Sequence, residues 1–230
     1  MSRHTNEDLI RELAGDLPRV TAISRLRVAA AKVLVLWLGA VAVSGILSGD
    51  HPSFGADSSW TDAVHLSVLV GMAILAGGAL LTALASAVPG RERAAGVGRA
   101  VAVLGVACVV GSGLWGIAGE QAANLGELLA GSFACFGYAI ALGLPSLWII
   151  AAFLSRGAPA SRRIASAVAA VGAAGLGAFA VHAVCPITGG YHVLLGHCLP
   201  PFVAAGLLAL PLAALIARGS RAESDPLSAH

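Results

Sequence analysis

Six stretches of this chain are each long and apolar enough to cross a bilayer, and no other feature restricts its fold as strongly. A hydrocarbon core takes ~20 consecutive apolar residues as one helix. The runs are roughly residues 28–47, 62–88, 97–118, 128–154, 163–184 and 191–217. Breaker-rich loops separate them, among them "SGDHPSFGADSSW", "PGRERAAG" and "CPITGG". The charged fraction, 11%, is under half of the ~25% usual in a soluble domain. The mean hydropathy of +0.85 points the same way. A net charge of +2 is too small to suggest nucleic-acid binding. The first apolar run follows a long charged segment, so it reads as a span rather than a cleavable leader.

The basic residues orient these spans. Arg3, Arg11, Arg19, Arg25, Arg27 and Lys32 precede or open the first. Arg91, Arg93 and Arg99 lie between the second and third, Arg156, Arg162 and Arg163 between the fourth and fifth, and Arg218 and Arg221 after the sixth. All fourteen therefore fall on one side. The other side holds Asp50, Asp57, Asp62, Glu120 and Glu127 and no basic residue. The positive-inside rule places both termini in the cytoplasm. The fold expected is an all-α membrane protein. Residues 1–27 form a cytoplasmic arm with a short amphipathic helix, residues 28–217 a six-span bundle, and residues 218–230 a disordered tail.

No Asp, Glu, Lys or Arg lies deep in a span, which argues against an ion or proton pathway. Small residues, as in "AVAAVGAAGLGAFA", suit close helix contact. Pro145, Pro200, Pro201 and Pro211 are expected to kink the fourth and sixth spans.

The chemistry concentrates in "VHAVCPITGGYHVLLGHC", residues 181–198, on the outward side. Cys185 ends the fifth span, His192 opens the sixth, and Cys135 lies one to two turns inside the fourth. Thiols on an oxidising side pair, bind metal or react. Cys108, mid-span, reads as a small apolar core residue. At about 100° per residue, His192 and His197 stand about 140° apart on a straight helix. One helix then cannot aim His192, His197 and Cys198 at a single ion, and a complete preformed zinc site is not expected. Cys135 and Cys185, from adjacent spans at matching depth, form the simpler pair, with His197 or His182 able to join. The metal ligands expected are Cys135, Cys185 and His197, with Cys198 and His182 as accessory candidates. Otherwise the histidines suit the headgroup level of the membrane.

The arm carries "TNEDLIRELAGDLP". Thr5 can cap a helix with Asp8 in a capping-box-like position, and Pro18 stops it. Leu9, Leu13 and Leu17, joined by Ile10, form an apolar stripe beside Glu7, Asp8, Glu12 and Asp16. A helix that lies on the anionic inner leaflet is usually basic. This one has the opposite sign, so a protein partner that accepts an apolar stripe with acidic flanks fits better.

With these parts in place the chain resembles the NrsF-type membrane anti-sigma factors of bacteria. The resemblance rests on "DLIRELAGDLPRV" in the arm, Cys135 within "SFACFGYAIALGLPSLW", "RGAP" at 156–159, and the Cys185-to-Pro201 stretch with its "CP" and "LLGH". It covers most of the chain and is weakest between about residues 50 and 125. It implies a protein of the bacterial cytoplasmic membrane, not an enzyme. Its cytoplasmic arm would bind an extracytoplasmic-function sigma factor through Leu9, Ile10, Glu12, Leu13 and Leu17. Cys135 and Cys185 would sense heavy-metal or oxidative stress. No constitutive cofactor is implied, only a transient heavy-metal ion. Val184 stands where the family often has His, and Gly196 where it often has Trp; Cys198 has no counterpart.

Two functional classes follow. In the first, outer thiols respond to metal or oxidant and the arm frees its sigma factor. Shifting a partner from 1:99 to 99:1 free takes ~5.5 kcal/mol, within reach of thiolate–metal bonds or a disulfide. Bridging the thiols would draw the fourth and fifth spans together. In the second class, a membrane redox protein or small-molecule carrier uses the same cluster. That reading lacks a CxxC and leaves the acidic arm unexplained.

Overall fold

A computed structural model describes residues 26–47, 63–118, 125–185, 187 and 189–222. The arm stripe of Leu9, Ile10, Leu13 and Leu17 lies outside the described residues. Among those described the chain is wholly helical. The helices are α1 (Leu26–Leu47), α2 (Ala63–Ser86), α3 (Glu92–Ala118), α4 (Leu125–Ser155) and α5 (Arg162–His182). A last composite helix follows, made of α6 (Gly190–His192), a π-helical stretch (Val193–Cys198) and α7 (Leu199–Ala222). Six helices are long and apolar enough to cross a membrane. Their bounds fall within a few residues of the apolar runs, because hydropathy and helix length are set by the same residues. α7 runs on to Ala222, past the boundary drawn at 217.

Local signals explain the ends at one face of the bundle. Gly90 takes φ +79° in the turn after α2, and its N–H donates to Glu92 Oε1 at 3.0 Å. Such a φ is open to glycine at little cost. Ser161 Oγ accepts from the N–H of Ile164 at 3.4 Å and caps α5. The two turns are tied together by Ala158 N–H donating to the Ala87 carbonyl at 3.1 Å.

α5 lies at the centre, packed on α2, α4 and α7, while α1 sits at the edge and touches α4 and α5. Trp37 of α1 meets Phe179 of α5 edge to face, ring centroids 4.9 Å apart. Glycine allows the closest approaches. A Cβ at Gly177 would run into the Ala139 carbonyl of α4, and one at Gly143 would lie 2.9 Å from the Ala173 carbonyl carbon of α5. The backbones of α4 and α5 therefore touch directly, as small residues permit between membrane helices. Large apolar side chains point outward all around the bundle, among them Val35, Ile46, Trp115, Phe133, Trp148 and Leu207.

The core has two parts. One, around Ile150, Leu154, Ala169 and Ile216, lies toward the end that carries the described arginines of the two turns. The other, around Val68, Met72, Val109, Val181 and Val193, lies toward the opposite end. That opposite end gathers the start of α2, the end of α3, the start of α4, the end of α5 and all of α6. None of the described Lys or Arg residues is found there.

Candidate functional site

The second end holds the cysteines and histidines. Cys135 projects from α4, three residues after Ser132. Cys185 lies in the short turn after α5, its N–H donating to the His182 carbonyl at 3.2 Å. The direct contact of α4 and α5 at Gly143 and Gly177 brings the two sulfurs to 3.7 Å. Cys185 Sγ is 3.3 Å from His192 Nε2, and His192 Nε2 is 3.2 Å from His197 Nε2. The four donor atoms, from Cys135, Cys185, His192 and His197, all lie within 4.8 Å of one another. Cys185, His192 and His197 are buried and Cys135 is half-buried. Hydrogen bonding with the Cys135 thiol, and with the imidazoles of His192 and His197, holds the Cys185 thiol well below the ordinary cysteine value.

His192 reaches this group against the expectation of a straight helix. The reason is the π-helical stretch from Val193 to Cys198. Its i→i+5 repeat brings residues five apart onto one face, and the N–H of Leu199 donates back to the Leu194 carbonyl. The sequence supplies a cause. Pro200 and Pro201 have no N–H to offer the carbonyls of Gly196 and His197, so regular α-helical bonding cannot continue across them. Gly196 lets the widened turn lie against α4. A Cβ there would stand 3.3 Å from both Cys135 Cβ and the Ser132 carbonyl oxygen.

Ser132 is a further member that the sequence did not single out. Its Oγ lies 3.2 Å from His192 Nδ1, so the ring is held with Nε2 toward Cys185 and His197. No spacing motif pointed to it; a serine one helical turn before Cys135 on a small-residue helix is a common packing residue.

The accessory candidates take other places. His182 is fully buried, stacked on His65 at 4.4 Å between ring centroids and edge-on to His197 at 4.7 Å. Among the described residues its ring nitrogens have no hydrogen-bond partner, and it is not one of the four converging donors. Cys198 is buried in the apolar cluster with Val68, Met72 and Val193. Cys108 is half-buried on α3, away from the group. His182 and His192 are both fully enclosed by protein.

Comparison with known proteins gives one result of substance. No curated protein and no solved structure matches the chain. The family described as negative regulator of sigma F matches residues 13–218. That match runs from the second half of the arm, through every described helix and both thiols, to the end of the last crossing-length segment. By that match the chain belongs to the NrsF family, the negative regulators of sigma F.

Proposed function

We propose that this protein is a multi-pass anti-sigma factor of the bacterial cytoplasmic membrane. It holds an extracytoplasmic-function sigma factor on its N-terminal arm and releases it when Cys135 and Cys185 engage a thiophilic metal or an oxidant. The observation that carries this reading is the approach of the two sulfurs to 3.7 Å at the end of the bundle remote from the described arginines. Two supports stand beside it. The outward-facing apolar side chains suit lipid, which keeps them out of water. The close packing of α4 on α5 links the thiols mechanically to the turn that carries Arg156 and Arg162.

Topology is tested first. A reporter fused at Gly55 or Ile187 reads as external, and one at Arg93 or Gly157 as internal. A cytoplasmic signal at Ile187 would sink the arrangement.

The arm is tested by Leu13→Asp, which places a charge in the apolar stripe. Transcription of the sigma regulon should then rise without stress, several-fold or more. Glu12→Lys should act in the same direction by reversing a flanking charge. A soluble peptide of residues 1–27 should bind the sigma factor directly. If the peptide binds no sigma factor and Leu13→Asp leaves repression intact, the arm is not the docking element.

A further inference from the structure

We infer that Cys135, Cys185, His192 and His197 form a preformed, closed, four-coordinate site for a divalent cation of the zinc class. The inference deepens the sensor reading of the same cluster by naming the ion class and all four ligands. The distances between donor atoms carry it. With Zn–S about 2.3 Å and Zn–N about 2.0–2.1 Å, a tetrahedron of two thiolates and two imidazoles has an S···S edge of about 3.8 Å, an N···N edge of about 3.3 Å and S···N edges of about 3.6 Å. The observed separations are 3.7 Å between the sulfurs, 3.2 Å between the two Nε2 atoms, and 3.3 Å from Cys185 Sγ to His192 Nε2. Three of the six edges of one coordination polyhedron therefore lie within about 0.3 Å of the zinc values, and every remaining donor pair lies within 4.8 Å.

The surroundings fit the same group. Both imidazoles present Nε2, and His192 Nδ1 has Ser132 Oγ at 3.2 Å as its outer partner. A metal-bound histidine usually donates its second ring N–H to such a group, which fixes both tautomer and ring orientation. The π turn aligns the two rings: without it His192 and His197 would face different sides of the helix. Charge balances as well. Two thiol protons leave to solvent when the ion binds, so a 2+ cation on two thiolates and two neutral imidazoles makes a neutral unit. A neutral unit suits a site where three of four ligands are buried. Two soft and two borderline ligands in a tetrahedron favour zinc-like ions over magnesium or calcium.

The test uses the full chain in detergent, reduced and stripped of metal, with cobalt(II) as the probe. One equivalent per chain should give the intense visible bands of tetrahedral cobalt together with thiolate-to-metal charge transfer, and zinc(II) should abolish both by displacement. His192→Ala and His197→Ala should each weaken cobalt binding about tenfold or more, and Ser132→Ala about tenfold, in the range for loss of an outer partner. Cys135→Ser and Cys185→Ser should each lower the charge-transfer band. Cys198→Ala and His182→Ala should leave the cobalt spectrum unchanged. X-ray absorption on the zinc-loaded wild-type chain needs no variant to fold, and should give a first shell of two sulfurs and two nitrogens. A weak octahedral cobalt spectrum, a shell with fewer than two sulfurs, or unchanged binding in His192→Ala would overturn the site. Sigma-factor release is read separately, by transcription. An inducible regulon with an octahedral cobalt spectrum would reject this site and keep the sensor; a tetrahedral site with a regulon indifferent to both thiols would do the reverse.

Discussion

Replacing Cys185 by serine should leave the sigma factor restrained and abolish its release by a thiophilic metal. Cys185 is the thiol in contact with both Cys135 and His192, at 3.7 Å and 3.3 Å, so its loss disconnects the cluster at its centre. Serine keeps the size and the hydrogen bond but is a poor ligand for soft ions and cannot form a disulfide. Cys135→Ser should act alike. Cys108→Ser should not, since that residue stands apart on α3. The measurement is regulon transcription before and after exposure to the metal in each single variant. Basal transcription should stay at the wild-type level while the induced rise disappears. Normal induction in both Cys135→Ser and Cys185→Ser would reduce the thiol pair to ordinary packing.

The second large effect concerns a residue with no chemistry of its own. Gly177→Leu should both destabilise the bundle and disperse the cluster. A Cβ at that position already runs into the Ala139 carbonyl, and the backbone of Gly143 is 2.9 Å away, so α4 and α5 must separate. Overpacking of this kind costs about 1–3 kcal/mol, and the separation acts directly on the elements that carry Cys135 and Cys185. Thermal unfolding in detergent should fall, and tetrahedral cobalt binding should weaken with it. Gly137→Ala on the facing helix α4 is the control. Nothing lies within 4 Å of a Cβ there, so the change should be neutral or slightly stabilising through better helix propensity. Equal effects from the two substitutions would mean that the α4–α5 contact does not position the site.

The six crossing-length helices were legible because their signal is local: length and hydropathy are properties of each run alone. The pairing of Cys135 with Cys185 was legible as a matter of equal depth on consecutive antiparallel spans. His192 was not. The obstacle was the assumption of about 100° per residue through residues 192–197, where the helix is π-helical. The signal was in plain view as Gly196 and the Pro200–Pro201 pair, two carbonyls losing their donors just beyond a glycine. Those prolines suggest a kink, and a kink says nothing about which residues come to share a face. Ser132 and the buried stack of His65 on His182 depend on how separate helices meet, and one helix's sequence does not contain that.

If the two thiols act as the proposed sensor, the 3.7 Å between their sulfurs sets how stimuli of different kinds are told from rest. A disulfide needs its sulfurs at about 2.05 Å, so oxidation closes the gap between the Cys135 and Cys185 sulfurs by about 1.7 Å. Two thiols then surrender two electrons and two protons, which a peroxide carries off as two molecules of water. A soft ion larger than zinc pushes the same two atoms the other way. Contraction and expansion are opposite displacements of one gauge. On the sensor reading, a bundle set at a single intermediate length would answer to both without a separate receptor for either. The same economy makes the inputs exclusive: a chain closed by a disulfide has no thiolates left for metal, and a chain holding metal shields its sulfurs from the oxidant.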